Sequence, residues 1–163
     1  MKPESYDETT IKDILTHMIE GWNRGSAEDF AASFADDADF IAFDGTHLTG
    51  REQIIAFHQK LFDTAHKGSR LEGGVHFVRF IEPTRALMHS WVTTTLRGQT
   101  NLSPSRDSLQ LFVLTKPGET WRCDALLSAR RITMEQQLFA DEFATLTSRD
   151  QQLIARRVAS MRH

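Results

Sequence analysis

Three side chains in this 163-residue chain have the chemistry to move a proton near neutral pH, or to help one that does: His58, His89 and Asp44. An imidazole titrates close to pH 7 and serves as acid or base. A carboxylate can orient that imidazole, or act alone where burial raises its pKa. Asp44 also stands directly before Gly45, a position where a tight turn by itself favours Asp. A denser acidic cluster, Asp36, Asp37 and Asp39, is more conspicuous but less promising. Asp36 and Asp37 are expected to end a helix on the surface, and Asp39 to anchor a turn or pair with an arginine. Cys123 is the single cysteine, and as a nucleophile it would need a base beside it that spacing does not supply. The seven histidines include no His-x-His or Glu-x-x-His pair, so no metal is expected. There is no glycine-rich nucleotide loop, and no cofactor is expected.

The bulk numbers bound what such residues could serve. The length fits one domain with a real core. A formal net charge of −3 gives no electrostatic footprint for nucleic acid. No apolar run is long enough to cross a membrane, and the chain does not open like a secretory leader. A lone cysteine suits a reducing compartment, so a cytoplasmic location is expected.

Several elements must position the candidates. Ile11, Ile14, Leu15, Met18, Ile19 and Trp22 recur on one face of a helix that Gly25 stops, with residues 1–8 frayed. Ser26 starts a second, short helix with Phe30 and Phe34 on its apolar face. Residues 38–43 are too short for a helix and predict a strand, closed by the hairpin signal Asp44-Gly45, with His47-Leu48 returning. Thr49 and Glu52 form a capping box for a helix that carries Ile54, Phe57, His58, Leu61 and Phe62 on one side. Four strand-like segments follow, at 70–81, 85–97, 106–116 and 120–131. Their short, turn-rich separators predict an antiparallel meander and an α+β order. Residues 1–132 therefore make the main domain. Residues 133–163, with helix starts at Thr133 and Ser148, form a C-terminal helical extension of it.

Alternation divides each strand into two faces. His89, Trp91, Thr93 and Thr95 share one face, and Ser90, Val92 and Thr94 the other. Gln110 and Phe112 lie together, opposite Leu109, Leu111 and Val113. Cys123 lies with Trp121, Ala125 and Leu127. No face is uniformly polar, so the sheet should be covered on both sides, one by helices and the other by a partner or the tail. A homodimer is expected.

The order of elements, together with the Trp22-Asn23 helix end, the Phe34-Ala35-x-Asp37-Ala38-Asp39-Phe40 run, the Gly50-Arg51-x-x-Ile54-x-x-Phe57-His58 helix and the later Leu111-Phe112-Val113-Leu114 and Trp121-Arg122 strands, resembles a known family. It is similar to the SnoaL-like branch of the nuclear transport factor 2-like superfamily, and within it most to the SgcJ/EcaC group. The resemblance covers about residues 8–131. It implies a bent antiparallel sheet curling around N-terminal helices into a cone with an internal pocket, usually dimeric. It is specific for fold and weak for reaction. Ketosteroid isomerases of this superfamily use an Asp base with a Tyr and a protonated Asp as oxyanion donors. Laid on this chain, the base position falls at Ala42, the Tyr at Met18 and the third group at Gln110, so that proton abstraction is disfavoured. The same comparison puts His58 at the pocket and His89, Trp91 and Thr93 on its inward face.

The implied cavity would be lined by Met18, Phe40, Ala42, Phe62, Trp91, Gln110, Phe112 and Cys123, with His58, His89 and Asp44 as its titratable groups. Mostly apolar walls with a few polar groups suit a small hydrophobic, oxygenated molecule of polyketide-like type. Two functions stay open on these residues. One is an enzyme in which His58 or His89 transfers a proton. The other is a non-catalytic dimeric binding or accessory protein of the same fold.

Overall fold

A computed structural model describes residues 5–100 and 106–131. The expected helix starts at Thr133 and Ser148, and with them the whole extension 133–163, lie outside the described residues. The elements run α1 (Tyr6–Arg24), α2 (Ala27–Ala31), β1 (Phe34–Ile41), β2 (His47–Thr49), α3 (Arg51–Asp63), β3 (Arg70–Glu82), β4 (Arg85–Thr95), β5 (Ser108–Thr115) and β6 (Arg122–Arg130). Among the described residues the strands form one curved, unclosed sheet in the order β2-β1-β6-β5-β4-β3. This is the α+β architecture expected, with the N-terminal helices packed on the sheet. No helix among the described residues is long and apolar enough to cross a membrane.

α1 begins earlier than its apolar stripe suggests, because Ser5 caps it by accepting the Glu8 backbone N–H at 3.2 Å. It ends at Gly25, whose φ of 69° is left-handed and free of strain only for glycine. Gly21 lets the second helix close on the first: a Cβ there would lie 2.3 Å from the Phe30 backbone nitrogen. Asn23 then clamps α1 to the sheet through both main-chain groups of one residue. Its Nδ2 donates to the Leu71 carbonyl at 3.0 Å, and its Oδ1 accepts the Leu71 N–H at 2.7 Å. At the other end of α1, Asp7 accepts from Lys116 Nζ (2.7 Å) and Trp121 Nε1 (3.0 Å).

The meander β3–β6 is antiparallel throughout, as expected. β1 differs in two ways. It starts at Phe34, so Asp36 and Asp37 belong to the strand and do not end a helix. It also pairs in parallel with β6, through Phe34–Cys123 and Asp39–Ala125. Between those two pairs β1 advances further than β6, and the exposed acids Asp36 and Asp37 occupy the resulting irregularity. Asp39 pairs with His47 (2.6 Å), and Asp36 with Arg51. The third helix has no side-chain cap. Gly50 is its N-cap, and Gln53 in place of Glu52 folds back, accepting the Thr49 N–H at 3.1 Å.

The inner face of the sheet is decided by register. Met88, Ser90 and Val92 stand opposite Phe112, Gln110 and Ser108. All six are buried. His89 and Trp91 therefore face outward, which reverses the inward face expected for β4. On β6, Leu114 pairs with Cys123 and Val113 with Ala125, so Asp124 is bulged out. One extra residue switches the alternation, and Leu126 follows Cys123 into the core.

Candidate functional site

A cavity of about 210 Å³ opens between the helices and the inner sheet face. Its apolar wall is largely aromatic, with Phe30 and Phe40 buried, Trp22 and Phe57 half-buried and Phe43 exposed. Its polar groups are His58, His66, Thr94, Ser108, Gln110 and Ser128, with Asp44 and Arg130 beside Phe43. Apolar walls with a few polar groups are how small-molecule cavities are usually lined.

α3 delivers His58 because position 58 follows Ile54 by one turn on the buried face. Its Nδ1 donates to the Ile54 carbonyl at 2.8 Å. The ring packs against Phe30 (centroids 4.2 Å apart) and Phe40 (5.0 Å). Burial in that aromatic nest lowers its pKa to about 4, and the nearby His66 adds to the effect, while the Ile54 hydrogen bond opposes it. His58 is thus a neutral imidazole at pH 7.

Gln110 is oriented by its neighbour across the strands: Ser90 Oγ donates to Gln110 Oε1 at 3.1 Å. Asp44 closes a small turn, accepting the Thr46 N–H at 3.0 Å. That bond holds its carboxyl below the usual range, so Asp44 is ionised and is not the raised-pKa acid the sequence left open. Arg130, the last residue of β6, places its Cζ 3.6 Å over the Phe43 ring.

Of the residues expected at the cavity, Phe40, Ala42, Asp44, His58 and Gln110 line it. Met18, Phe112 and Cys123 do not, being packed within the core. Phe62 stands one layer back, with its ring 5.0 Å from that of Trp22. The Cys123 thiol meets the Ala125 carbonyl at 3.3 Å, and burial pushes it strongly up, away from thiolate chemistry. His89 and Trp91 lie on the other face of the sheet, where His89 stacks between His76 and Phe77. Thr93, grouped with them, is buried, and its hydroxyl has no partner among the described residues.

His66 brings a second imidazole to the cavity in place of His89. It sits beyond the end of α3, in turns that carry no periodic signal, with its ring 5.3 Å from that of Trp22. Burial lowers its pKa, with Arg106 and Arg130 adding to the effect. Trp22 could have been found, since it shares the α1 stripe with the core residues. Arg130 could not, because the bulge at Asp124 turns it inward. Among the described residues no three His, Cys, Asp or Glu side chains gather as a metal ion would need.

Comparison with known proteins fits this geometry. Residues 15–115 match the family model described as a SnoaL-like domain. A domain of unknown function with a cystatin-like fold from Nostoc punctiforme PCC 73102 is 49% identical, with a TM-score of 0.83 over 98% of this chain and 99% of that one. A ketosteroid isomerase-like protein from Erwinia carotovora atroseptica SCRI1043 is 15% identical, with a TM-score of 0.64 over 78% and 98%. A type 2 hexachlorocyclohexane dehydrochlorinase (LinA) is 12% identical, with a TM-score of 0.66 over 77% and 86%. These last two share the fold alone. No curated protein matches the sequence.

Proposed function

Since the chain belongs to the SnoaL-like family, whose fold carries both binding proteins and enzymes, we propose that it binds a small hydrophobic, oxygenated molecule of polyketide-like type in the cavity around His58. One observation carries this. An aromatic cavity ends on an imidazole whose protonated nitrogen is already used, leaving Nε2 as an acceptor for a ligand hydroxyl. Within the family, the Phe34–Phe40 run and the Gly50–His58 helix support placement with the SgcJ/EcaC group.

The same geometry weighs on catalysis. Position 42 is an alanine and position 18 a core methionine, so the isomerase base and phenol have no counterpart there. A buried imidazole with a pKa of about 4 is a weak base, able to take a proton from an enol or phenol more readily than from carbon. Binding, with proton transfer limited to such acidic positions, is the function this site supports best.

A thermal-shift screen of polyketide-like and steroid-like compounds on the wild type and His58→Ala tests it. At least one compound is expected to stabilise the wild type, and to stabilise His58→Ala less relative to its own baseline. A panel without any stabilising compound would overturn the proposal.

We also propose that the protein works as a homodimer through the outer sheet face. That face carries the cross-strand rows Leu87–Val113–Ala125, His89–Leu111–Leu127 and Trp91–Leu109–Ala129, mostly apolar and in part exposed.

A further inference from the structure

Among the described residues, nothing accepts a hydrogen bond or an ion pair from the Arg130 side chain, although that side chain lines the cavity. Phe43 covers one face of the guanidinium, leaving the N–H donors at its edge. The guanidinium is half-buried, and its planar fork matches a carboxylate. The neighbouring carboxylate, Asp44, acts on it only through space. Asp44 is held by the Thr46 N–H and makes no ion pair with Arg130 among the described residues. Arg106, whose Nη1 is fixed on Gln99 Oε1 at 2.8 Å, adds a second positive charge close enough to act on both Arg130 and His66. His66 presents on the same cavity a buried Nδ1 that has no partner among the described residues. Arg130 on the cavity and Arg106 acting on it therefore stand against the one carboxylate of Asp44, a balance that suits a single negative charge better than two.

We propose that the cavity takes a monoanionic carboxylate: an aromatic or polycyclic carboxylic acid whose apolar body lies among Phe30, Phe40 and Phe57 and whose carboxylate pairs with Arg130 at the rim. This rests on the ligand-binding function above and narrows its ligand from oxygenated to anionic. Arg130 selects by charge, and the aromatic wall accepts any flat apolar body of suitable size.

Matched probes test the charge alone. Calorimetric titration with 2-naphthoate and with its primary amide, 2-naphthamide, is expected to show the acid binding about tenfold tighter or more, since a charge-assisted bond replaces a neutral one. Arg130→Met, which keeps an unbranched apolar side chain and removes the charge, is expected to bind both probes with equal, weak affinity. Arg130→Lys should recover part of the preference for the acid. Equal affinity in the wild type overturns the anionic ligand, and an acid preference that survives in Arg130→Met overturns its pairing with Arg130; either result leaves the cavity a ligand site. Binding of neither probe to the wild type overturns both.

Discussion

His58 and Ile54 are joined by a hydrogen bond that fixes the histidine's tautomer: Nδ1 donates to the Ile54 carbonyl oxygen at 2.8 Å, one turn back along α3. A carbonyl can only accept, so the proton resides on Nδ1 and the lone pair on Nε2. The same helix that buries the ring thus decides which nitrogen a ligand can meet. Protonating that ring would put a charge among Phe30, Phe40 and Phe57, which is why burial dominates its titration.

A pH dependence follows. The folded pKa is about 4 against an ordinary 6.5, so the unfolded chain binds a proton first as pH falls. Stability should be unaffected by His58 above pH 6.5 and decline from there to pH 4, by an amount on the order of 3 kcal/mol. His66 is shifted in the same direction and adds to the slope. Urea unfolding at pH 7 and pH 4.5 measures it. His58→Phe, which keeps the aromatic packing, should flatten the profile, and an unchanged profile in that variant would exclude His58 as its source.

Ser90 and Gln110 form a second unit, directly opposite each other on β4 and β5 and both buried. Removing either member strands the other's polar group, so Ser90→Ala and Gln110→Leu should each cost about 1–2 kcal/mol. Removing both strands neither, and the double variant should be more stable than the sum predicts by about 1 kcal/mol. Denaturation of the four proteins in the cycle measures the difference. Strict additivity would mean that the pair is not coupled.

Gly21→Ala should be among the most damaging small substitutions in α1. Alanine is the better helix former, so propensity alone predicts a gain. The added Cβ would instead lie 2.3 Å from the Phe30 nitrogen and 2.7 Å from its Cα, both backbone atoms that cannot rotate away. A loss of about 2 kcal/mol or more is expected by chemical denaturation. An unchanged midpoint would show that α2 can shift at little cost.

Periodicity made α1, α3 and the meander legible, and the Ser26 cap α2, because those signals are local; the capping box expected at Thr49 and Glu52 is not formed. The face of β4 was not. Alternation separates His89 and Trp91 from Ser90 and Val92, but it cannot say which set points inward. The aromatic set looks like a cavity lining, whereas register against Gln110 and Phe112 puts the small Ser90 inside. The bulge at Asp124 hid Arg130 in the same way, since strict alternation cannot count an extra residue. His58 was legible because a helix stripe has one apolar side. His66 was not, lying in turns that only tertiary packing brings to the cavity. Asp44 was legible as a turn former, and that is how it is bonded.

The outward turn of β4 sets up the last test. With His89 and Trp91 outside, Leu111 lies at the centre of an apolar patch, flanked across the strands by His89 and Leu127 and along the strand by Leu109 and Val113. Leu111 is 37% exposed, Val113 41% and Leu127 46%, so the described chain leaves this surface only partly covered. A stable interface needs roughly 800 Å² from each partner, which a patch spanning three strands can supply. Leu111→Asp places a charge at its centre. Because the side chain is already partly exposed, the folded monomer should tolerate the change within about 1 kcal/mol, while a second copy could no longer seat without burying an unpaired carboxylate. Light scattering should therefore give twice the chain mass for the wild type and the single mass for Leu111→Asp, with matching circular dichroism. A wild-type monomer would rule out the homodimer, and a Leu111→Asp dimer would move its interface elsewhere on the surface.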